Sequence, residues 1–424
     1  MPREVWITGM GMVTALGADL NTSWSRALAG KSGIRAISSF EADEMPVAGA
    51  GEVEDIELES LRERLPGDLA AERERRVLFA LDAARSALAD AGLAPGESDP
   101  ARSGVVMGAG LSTYRLEDFA AWIPPGGGFE AARFAAELEK THPGGYFQNP
   151  PERATSLISK WAEFSGPSAT LTSACAAAGQ AIGLGMRMIR RGEADLVLCG
   201  GADSMINPVG MAIFLLLGAA STAAVESAAL CRPFDRRRSG LVVGEGAGML
   251  VLESADRAAR RGARVHARLL GYGSSMDAYR VTAPDPAGRG AVRSMRGALR
   301  DAGMAPEEIA YVNAHGTGTR LNDPAETRAI KEVFGESGAR LAVSSTKPLI
   351  GHLIAACGAP ELIFTALSVA RDEVHPTLNL ENPDPGCDLD YVPGEARKMA
   401  VPAAISNSFG FGGQNATLVV GKAA

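Results

Sequence analysis

One thiol stands out among the residues able to do chemistry. Thr172-Ser173-Ala174-Cys175-Ala176-Ala177-Ala178-Gly179 ends an apolar run at Cys175 and continues in small residues that suit a helix. The first turn of a helix offers unpaired N–H groups and roughly half a positive elementary charge, which favours thiolate over thiol and predicts a lowered pKa for Cys175. Taken alone, the octapeptide fits a small buried core cysteine equally well. Two histidine loops shift that balance. His315 stands in Asn313-Ala314-His315-Gly316-Thr317-Gly318-Thr319, directly after the apolar residues 309–312. His352 closes Lys347-Pro348-Leu349-Ile350-Gly351-His352, after Val343-Ser344-Ser345, and opens a helical pattern reaching about residue 370. The chain has only five histidines. Two of them at strand-to-loop ends, together with such a cysteine, point to acyl transfer through a covalent thioester.

Further segments accompany these: Ile7-Thr8-Gly9-Met10-Gly11, Gly200-Gly201-Ala202, Arg232-Pro233-Phe234-Asp235, Gly244-Glu245-Gly246-Ala247-Gly248 and Asn407-Ser408-Phe409-Gly410-Phe411-Gly412-Gly413. In this order, over nearly its whole length, the chain resembles the β-ketoacyl-[acyl-carrier-protein] synthases of the ketosynthase I/II type, within the thiolase superfamily. The resemblance implies an α/β protein of five layers, α/β/α/β/α, built from two similar halves. It implies a decarboxylating Claisen condensation between a cysteine-bound acyl chain and malonyl-acyl carrier protein, in fatty-acid or polyketide-type synthesis. Cys175 is then the nucleophile, and the backbone N–H groups of Cys175 and Phe411 form the oxyanion hole. Neutral His315 and His352 serve the enolate, with Lys347 and Glu361 beside them in a structural and electrostatic role.

The same resemblance gives Thr317 and Thr319 contact with the phosphopantetheine arm, Phe411 and Gly412 contact with the substrate, Phe411 a gating role, and Leu111 a place at the acyl pocket. The residues themselves also permit plainer readings: threonines bonded within their own loop, a core leucine, and an exposed Lys–Glu pair contributing about 0 to 1 kcal/mol. The two histidines separate this pattern from starter-unit synthases, which carry Cys-His-Asn, and from thiolases, which use a second cysteine. His352 at a helix start should resist protonation, because the positive helix end disfavours imidazolium.

The implied partners are an acyl carrier protein, acyl and malonyl thioesters, and a second copy of the chain in a homodimer, with a heterodimer as the alternative. The rival to an enzyme is a chain-length-factor-like partner subunit, and Cys175 with both histidines argues against it. No cofactor is implied beyond the carrier's own arm. Carrier proteins are acidic, so a basic dock is expected, with Arg73, Arg75 and Arg76 supplying part of it. Gly218 stands where housekeeping relatives often place an arginine, and residues 144–152 lack the usual basic pair. Gln414 replaces a common threonine, and Ser239 and Leu241 a common Asp and Phe. Gly218 and the missing basic pair point to a dedicated carrier, as in secondary metabolism, while Gln414, Ser239 and Leu241 bear on acyl-chain specificity.

Elements must hold these loops in place. At 424 residues and 46% hydrophobic, the chain has material for a large core and two or three domains. Short β-rich runs at 104–107, 195–199, 248–252, 309–312 and 341–344 alternate with helical patterns, as α/β layers require. The Cys175 and His352 neighbourhoods share a plan of strand, polar turn, reactive residue and Ala/Gly-rich helix, with Gly179 and Gly358 early in the two helices. This suggests a duplication, with halves 1–262 and 263–424. Val77, Leu78, Leu81, Ala84 and Leu88 recur at helical spacing opposite Arg73, Arg75, Arg76, Asp82 and Arg85, predicting a peripheral amphipathic helix.

Gly9-Met10-Gly11 mimics a dinucleotide loop, but Thr14 stands in place of its third glycine. The net charge of −8 gives no support to nucleic-acid binding. Five unevenly spaced cysteines read as reduced thiols, no CxxC pair suggests zinc, and no signal peptide is visible. The apolar window 210–220 falls short of the roughly 20 residues a bilayer requires, so a cytoplasmic protein is expected. His142, His266 and His375 are expected to be solvated, and Cys199, Cys231, Cys357 and Cys387 inert.

Overall fold

The computed structural model describes residues 3–111, 116–140 and 150–423. Its main sheet contains β1 (Val5–Val13), β2 (Ser103–Ala109), β3 (Ser168–Leu171), β4 (Leu196–Asp203), β5 (Gly246–Ser254) and β6 (Ala267–Met276). β7 (Tyr311–Asn313), β8 (Ala342–Ser344), β11 (Ala403–Phe409) and β12 (Gln414–Gly421) complete it, while β9 (Glu373–Val374) and β10 (Arg397–Lys398) pair separately. The order is β3-β2-β4-β5-β1-β6-β12-β11-β7-β8. Followed from either edge inward, the first five strands and the last five take the same relative order, so one topology occurs twice. The two sets join through the antiparallel pair β1 and β6.

β2, β4 and β5 are buried along their whole length, consistent with near-continuous Val, Leu, Met and Gly runs covered on both faces. Helix Arg75–Asp90 packs on β1 and β5, and helix Arg289–Ala302 on β6 and β12. Between the strand sets run helices Ala177–Arg190 and Gly358–Arg371, touching each other and both sets. The result is the five-layer α/β/α/β/α arrangement. Gly179 and Gly358 sit where the central helices meet. Small residues there let the backbones approach, and the active loops at their starts are drawn together.

Several expectations change in three dimensions. Helix Arg75–Asp90 lies in an outer layer, yet its polar face is not open to solvent: Arg76 and every residue from Val77 to Ala84 are buried. Asp82 within it is bonded by Arg64 and Arg85. Gly9 serves helix–sheet packing, since a Cβ there would lie 2.2 Å from the Ala87 carbonyl oxygen. The stretch most like a membrane span among the described residues is Ile354–Arg371, not 210–220, and 83% of it is buried as the protein's own central layer.

Candidate active site

Cys175 lies in the 3₁₀ turn Ala174–Ala176 that leads into helix Ala177–Arg190. Ala174 takes φ 47°, a left-handed conformation costly for a residue with a Cβ. Ile354 does the same at φ 45° in the corresponding turn Ile354–Ala356 of the second half, just after His352. Both elbows turn a chain sharply so that side chains face one cavity. The loop Gly410-Phe411-Gly412-Gly413 packs against the first elbow. A Cβ at Gly410 would stand 3.1 Å from the backbone nitrogens of Cys175 and Ala176, so glycine allows the close approach. The backbone N–H groups of Phe411 and of Cys175 itself both act on the sulfur in favour of its thiolate.

A ring nitrogen of His315, a ring nitrogen of His352 and the Cys175 sulfur all lie within 4.8 Å of one another. The two rings are edge to face, with centroids 5.3 Å apart. A hydrogen bond at Nδ1 fixes each one. The Ile354 N–H donates to His352 Nδ1 at 3.1 Å, and the Lys347 ammonium donates to His315 Nδ1 at 3.3 Å. An accepting Nδ1 leaves the proton on Nε2 in a neutral imidazole, so both rings carry their N–H at Nε2. Burial, then the charge of Lys347, pushes both histidines well below the ordinary imidazole range; His352 adds to the effect on His315. The expected resistance to protonation therefore has burial as its main source.

Lys347 and Glu361 form a buried ion pair, Nζ to Oε1 at 2.6 Å, and the exposed-pair reading does not apply. Burial pushes Glu361 up to about 7 against the pull of Lys347. Burial also works against the Lys347 charge, but Glu361 and neighbouring groups hold its pKa above the ordinary lysine range. The result is a fixed ammonium behind His315.

The thiol departs from the sequence expectation. Burial raises Cys175 to about 11, although Lys347 and the two backbone N–H groups act in the opposite direction. The helix start therefore does not give a thiolate at neutral pH, because desolvation of the charge outweighs it. Thiolate should then increase about tenfold per pH unit up to that range. Alkylation of Cys175 by iodoacetamide, followed by peptide mass spectrometry, should accelerate in this way from about pH 7 to pH 9.5 without a plateau.

A pocket of about 530 Å³ reaches from the surface to this cluster. Its wall includes Thr317, Thr319, Phe409, Phe411 and Ile354, with Ser239 and Leu241 along one side. The Thr317 and Thr319 hydroxyls bond each other at 2.9 Å. Gly412 is not part of that wall; it is exposed, and its N–H donates to Val281 O at 2.6 Å. Leu111, 65% exposed, also lies off the wall, where a pocket residue was expected. Gln414 accepts from Gln180 Nε2 at 3.2 Å, and Gln180 accepts from Ser173 at 2.6 Å. The unusual glutamine thus braces the turn that carries Cys175.

The expected basic dock is not formed by its three arginines. Arg75 is bonded to buried Glu245, Arg76 is buried and donates to Gly110 O, and Arg73 pairs with Asp118. Their guanidinium groups hold the fold together internally. His266 is buried and bonded to Asp90, and His375 is buried among Tyr311, Thr346 and Phe364, with burial lowering its pKa to about 4. Neither is solvated; His142 lies outside the described residues. All five cysteines are free, yet Cys357 is not remote: its thiol donates to the Cys175 carbonyl at 3.3 Å. No motif marks Glu326, but its carboxylate accepts the N–H groups of His315 and Gly316, each at 2.8 Å, and fixes that loop.

The profile of the β-ketoacyl synthase N-terminal domain matches residues 2–258, and that of the C-terminal domain residues 266–381. The 3-oxoacyl-[acyl-carrier-protein] synthase 2 of Coxiella burnetii is 39% identical over 422 residues, covering 99% of each chain. A ketosynthase solved with its type II polyketide acyl carrier protein and a bound hexaketide superimposes with TM-score 0.87 at 31% identity, covering all of both chains. The ishigamide ketosynthase/chain length factor gives TM-score 0.87 at 35% identity, again over all of both chains.

Proposed function

The chain belongs to the β-ketoacyl synthase family, and from that premise we propose how its own residues carry out the condensation. The reaction joins a cysteine-bound acyl chain to the two-carbon unit of malonyl-acyl carrier protein, releasing carbon dioxide and a β-ketoacyl-acyl carrier protein. The phosphopantetheine arm belongs to the carrier, so the enzyme needs no cofactor of its own. The observation that carries the residue assignment is the mutual approach, within 4.8 Å, of Cys175, His315 and His352.

In the first step the Cys175 sulfur attacks the carrier thioester, and the carbonyl oxygen takes its developing charge to the N–H groups of Cys175 and Phe411. The carrier leaves as a thiol, taking up the proton that Cys175 gives, so the exchange is proton-neutral. A malonyl thioester then occupies the emptied arm channel along Thr317 and Thr319. Its carboxylate departs as carbon dioxide, and the bonding pair moves into an enolate whose oxygen accepts from His315 Nε2–H and His352 Nε2–H. Imidazoles that stay neutral can donate here without moving a proton, and the dry pocket strengthens both bonds. The enolate carbon attacks the cysteinyl thioester, the oxyanion forms again in the same hole, and Cys175 is expelled as a thiolate that takes one proton from solvent, the proton the decarboxylating half-reaction consumes overall. Lys347, held by Glu361, keeps His315 in the required tautomer.

We divide the chain at 262/263, supported by the repeated strand order. We assign the homodimer contact to β3, an edge strand with one side open to pairing. We place the enzyme in the cytoplasm, in keeping with five unbonded cysteines.

Intact-protein mass spectrometry tests the proposal. Incubation with acyl-acyl carrier protein should add one acyl mass at Cys175, and malonyl-acyl carrier protein should then remove it as extended product. A folded protein that takes no acyl group from any chain length would refute the nucleophile assignment and favour a non-catalytic partner subunit.

A further inference from the structure

Arg73, Arg75 and Arg76 are committed to internal pairs, so the carrier must be met elsewhere, and the pocket itself limits where. Three segments form its opening. Leu216 and Leu217 end helix Pro208–Leu216, Arg280 and Val281 follow β6, and Arg320 and Leu321 follow the His315 loop. Their apolar side chains are turned to solvent: Leu216 is 88% exposed, Val281 75% and Leu321 59%. Isolated exposed leucines are ordinary, but Val281 and Leu321 line the pocket that holds Cys175, and Leu216 adjoins its lining residue Leu217.

Arg280 and Arg320 are exposed between them. No carboxylate among the described residues pairs with either guanidinium; Arg280 lies over the Tyr279 ring at 5.5 Å. Asp277, an acid in the same pocket wall, is engaged by Asn415 Nδ2 at 2.8 Å and by the Asp285 N–H at 3.0 Å. In a chain of net charge −8, two unneutralised cations at the pocket opening create a local field opposite to that of the molecule.

We propose that Leu217, Arg280, Val281, Arg320 and Leu321 form the docking surface for the acyl carrier protein, with the arginines meeting acidic side chains of the carrier and the apolar residues closing the contact. The proposal rests on the condensing function argued above and names where that function receives its partner. Apolar contact at the centre with charges at the rim is the arrangement that gives both fast encounter and close packing.

The test is acyl transfer to Cys175 in an Arg280→Glu/Arg320→Glu variant and a separate Val281→Ser/Leu321→Ser variant. Each is checked for an unaltered melting temperature. Acyl donors of several chain lengths are each presented in three forms: on acyl carrier protein, on free phosphopantetheine, and on N-acetylcysteamine. The charge-reversed variant should lose about tenfold or more in kcat/KM with the carrier-bound donor, and the salt dependence of that rate should flatten. With the two protein-free donors the loss should stay within about twofold, since neither presents acidic side chains. The Val281→Ser/Leu321→Ser variant should weaken the carrier reaction alone and leave its salt dependence in place.

Equal loss with free phosphopantetheine would mean that the arginines bind the arm's phosphodiester and would overturn the proposal. No loss with the carrier would place the dock elsewhere and overturn it equally. Failure of the unaltered protein with all three donors would instead count against the condensing function itself.

Discussion

Replacing Cys175 by alanine is expected to lower condensation by about 10⁴-fold or more, the scale on which removing a covalent nucleophile acts. Release of carbon dioxide from malonyl-acyl carrier protein should persist in the same variant. The two outcomes separate because the sulfur holds only the acyl chain, whereas the enolate is received by His315 and His352. The cavity left by the thiol is small, and the oxyanion hole is made of the backbone N–H groups of Cys175 and Phe411, so both of its donors survive. Radiolabelled carbon dioxide release beside β-ketoacyl product formation measures both. Condensation at the parental rate would exclude Cys175 as nucleophile, and loss of both activities in a folded variant would show that decarboxylation requires the acyl-enzyme.

The second large effect concerns the histidines. His315→Ala and His352→Ala should each reduce decarboxylation by about 10²- to 10³-fold, as expected for loss of one preorganised donor to a developing oxyanion. Acyl loading of Cys175 should suffer much less, because its oxyanion is held by backbone groups. Burial and Lys347 push both histidines well below their usual range, so the donors stay neutral across the neutral region. Protonation could remove a histidine's function only as the pH falls through that depressed value. The decarboxylation rate of the Cys175→Ala enzyme should therefore show no acid limb centred near pH 6.5. A limb at that pH, absent from His352→Ala, would mean that His352 titrates as an exposed imidazole.

Much of this site can be read from the sequence because its motifs are local. Cys175, His315 and His352 each end an apolar run; the runs at 104–107 and 248–252 lie within strands β2 and β5, and that at 195–199 enters β4 at Leu196. What remains hidden depends on partners distant along the chain. Arg75 has the spacing of a surface residue, yet its carboxylate is Glu245, 170 positions away. Cys357 carries no motif; it reaches the Cys175 carbonyl because the central helices of the two halves cross. His375 precedes a proline, as many loop histidines do, and only tertiary packing puts it beneath Thr346 and Tyr311. Helix position correctly suggested a special environment for Cys175, but the degree of burial decides the sign of its pKa shift, and burial is a property of the assembled layers.

The hydrogen-bonded seam between β1 and β6, with two helices clasped between the strand sets it joins, also limits how this molecule can move. Hinge-bending enzymes close one lobe over another across a sparsely packed boundary. Here such a rotation would have to tear a ladder and slide helices that meet at Gly179 and Gly358, in a core that does not deform gradually. The catalytic frame is therefore rigid on the timescale of turnover, and the nucleophile and the imidazoles keep one spacing for both half-reactions. Outside that frame, the pocket wall is completed by two short surface segments, 277–284 and 410–413, tied to each other by the Gly412 N–H to Val281 O bond.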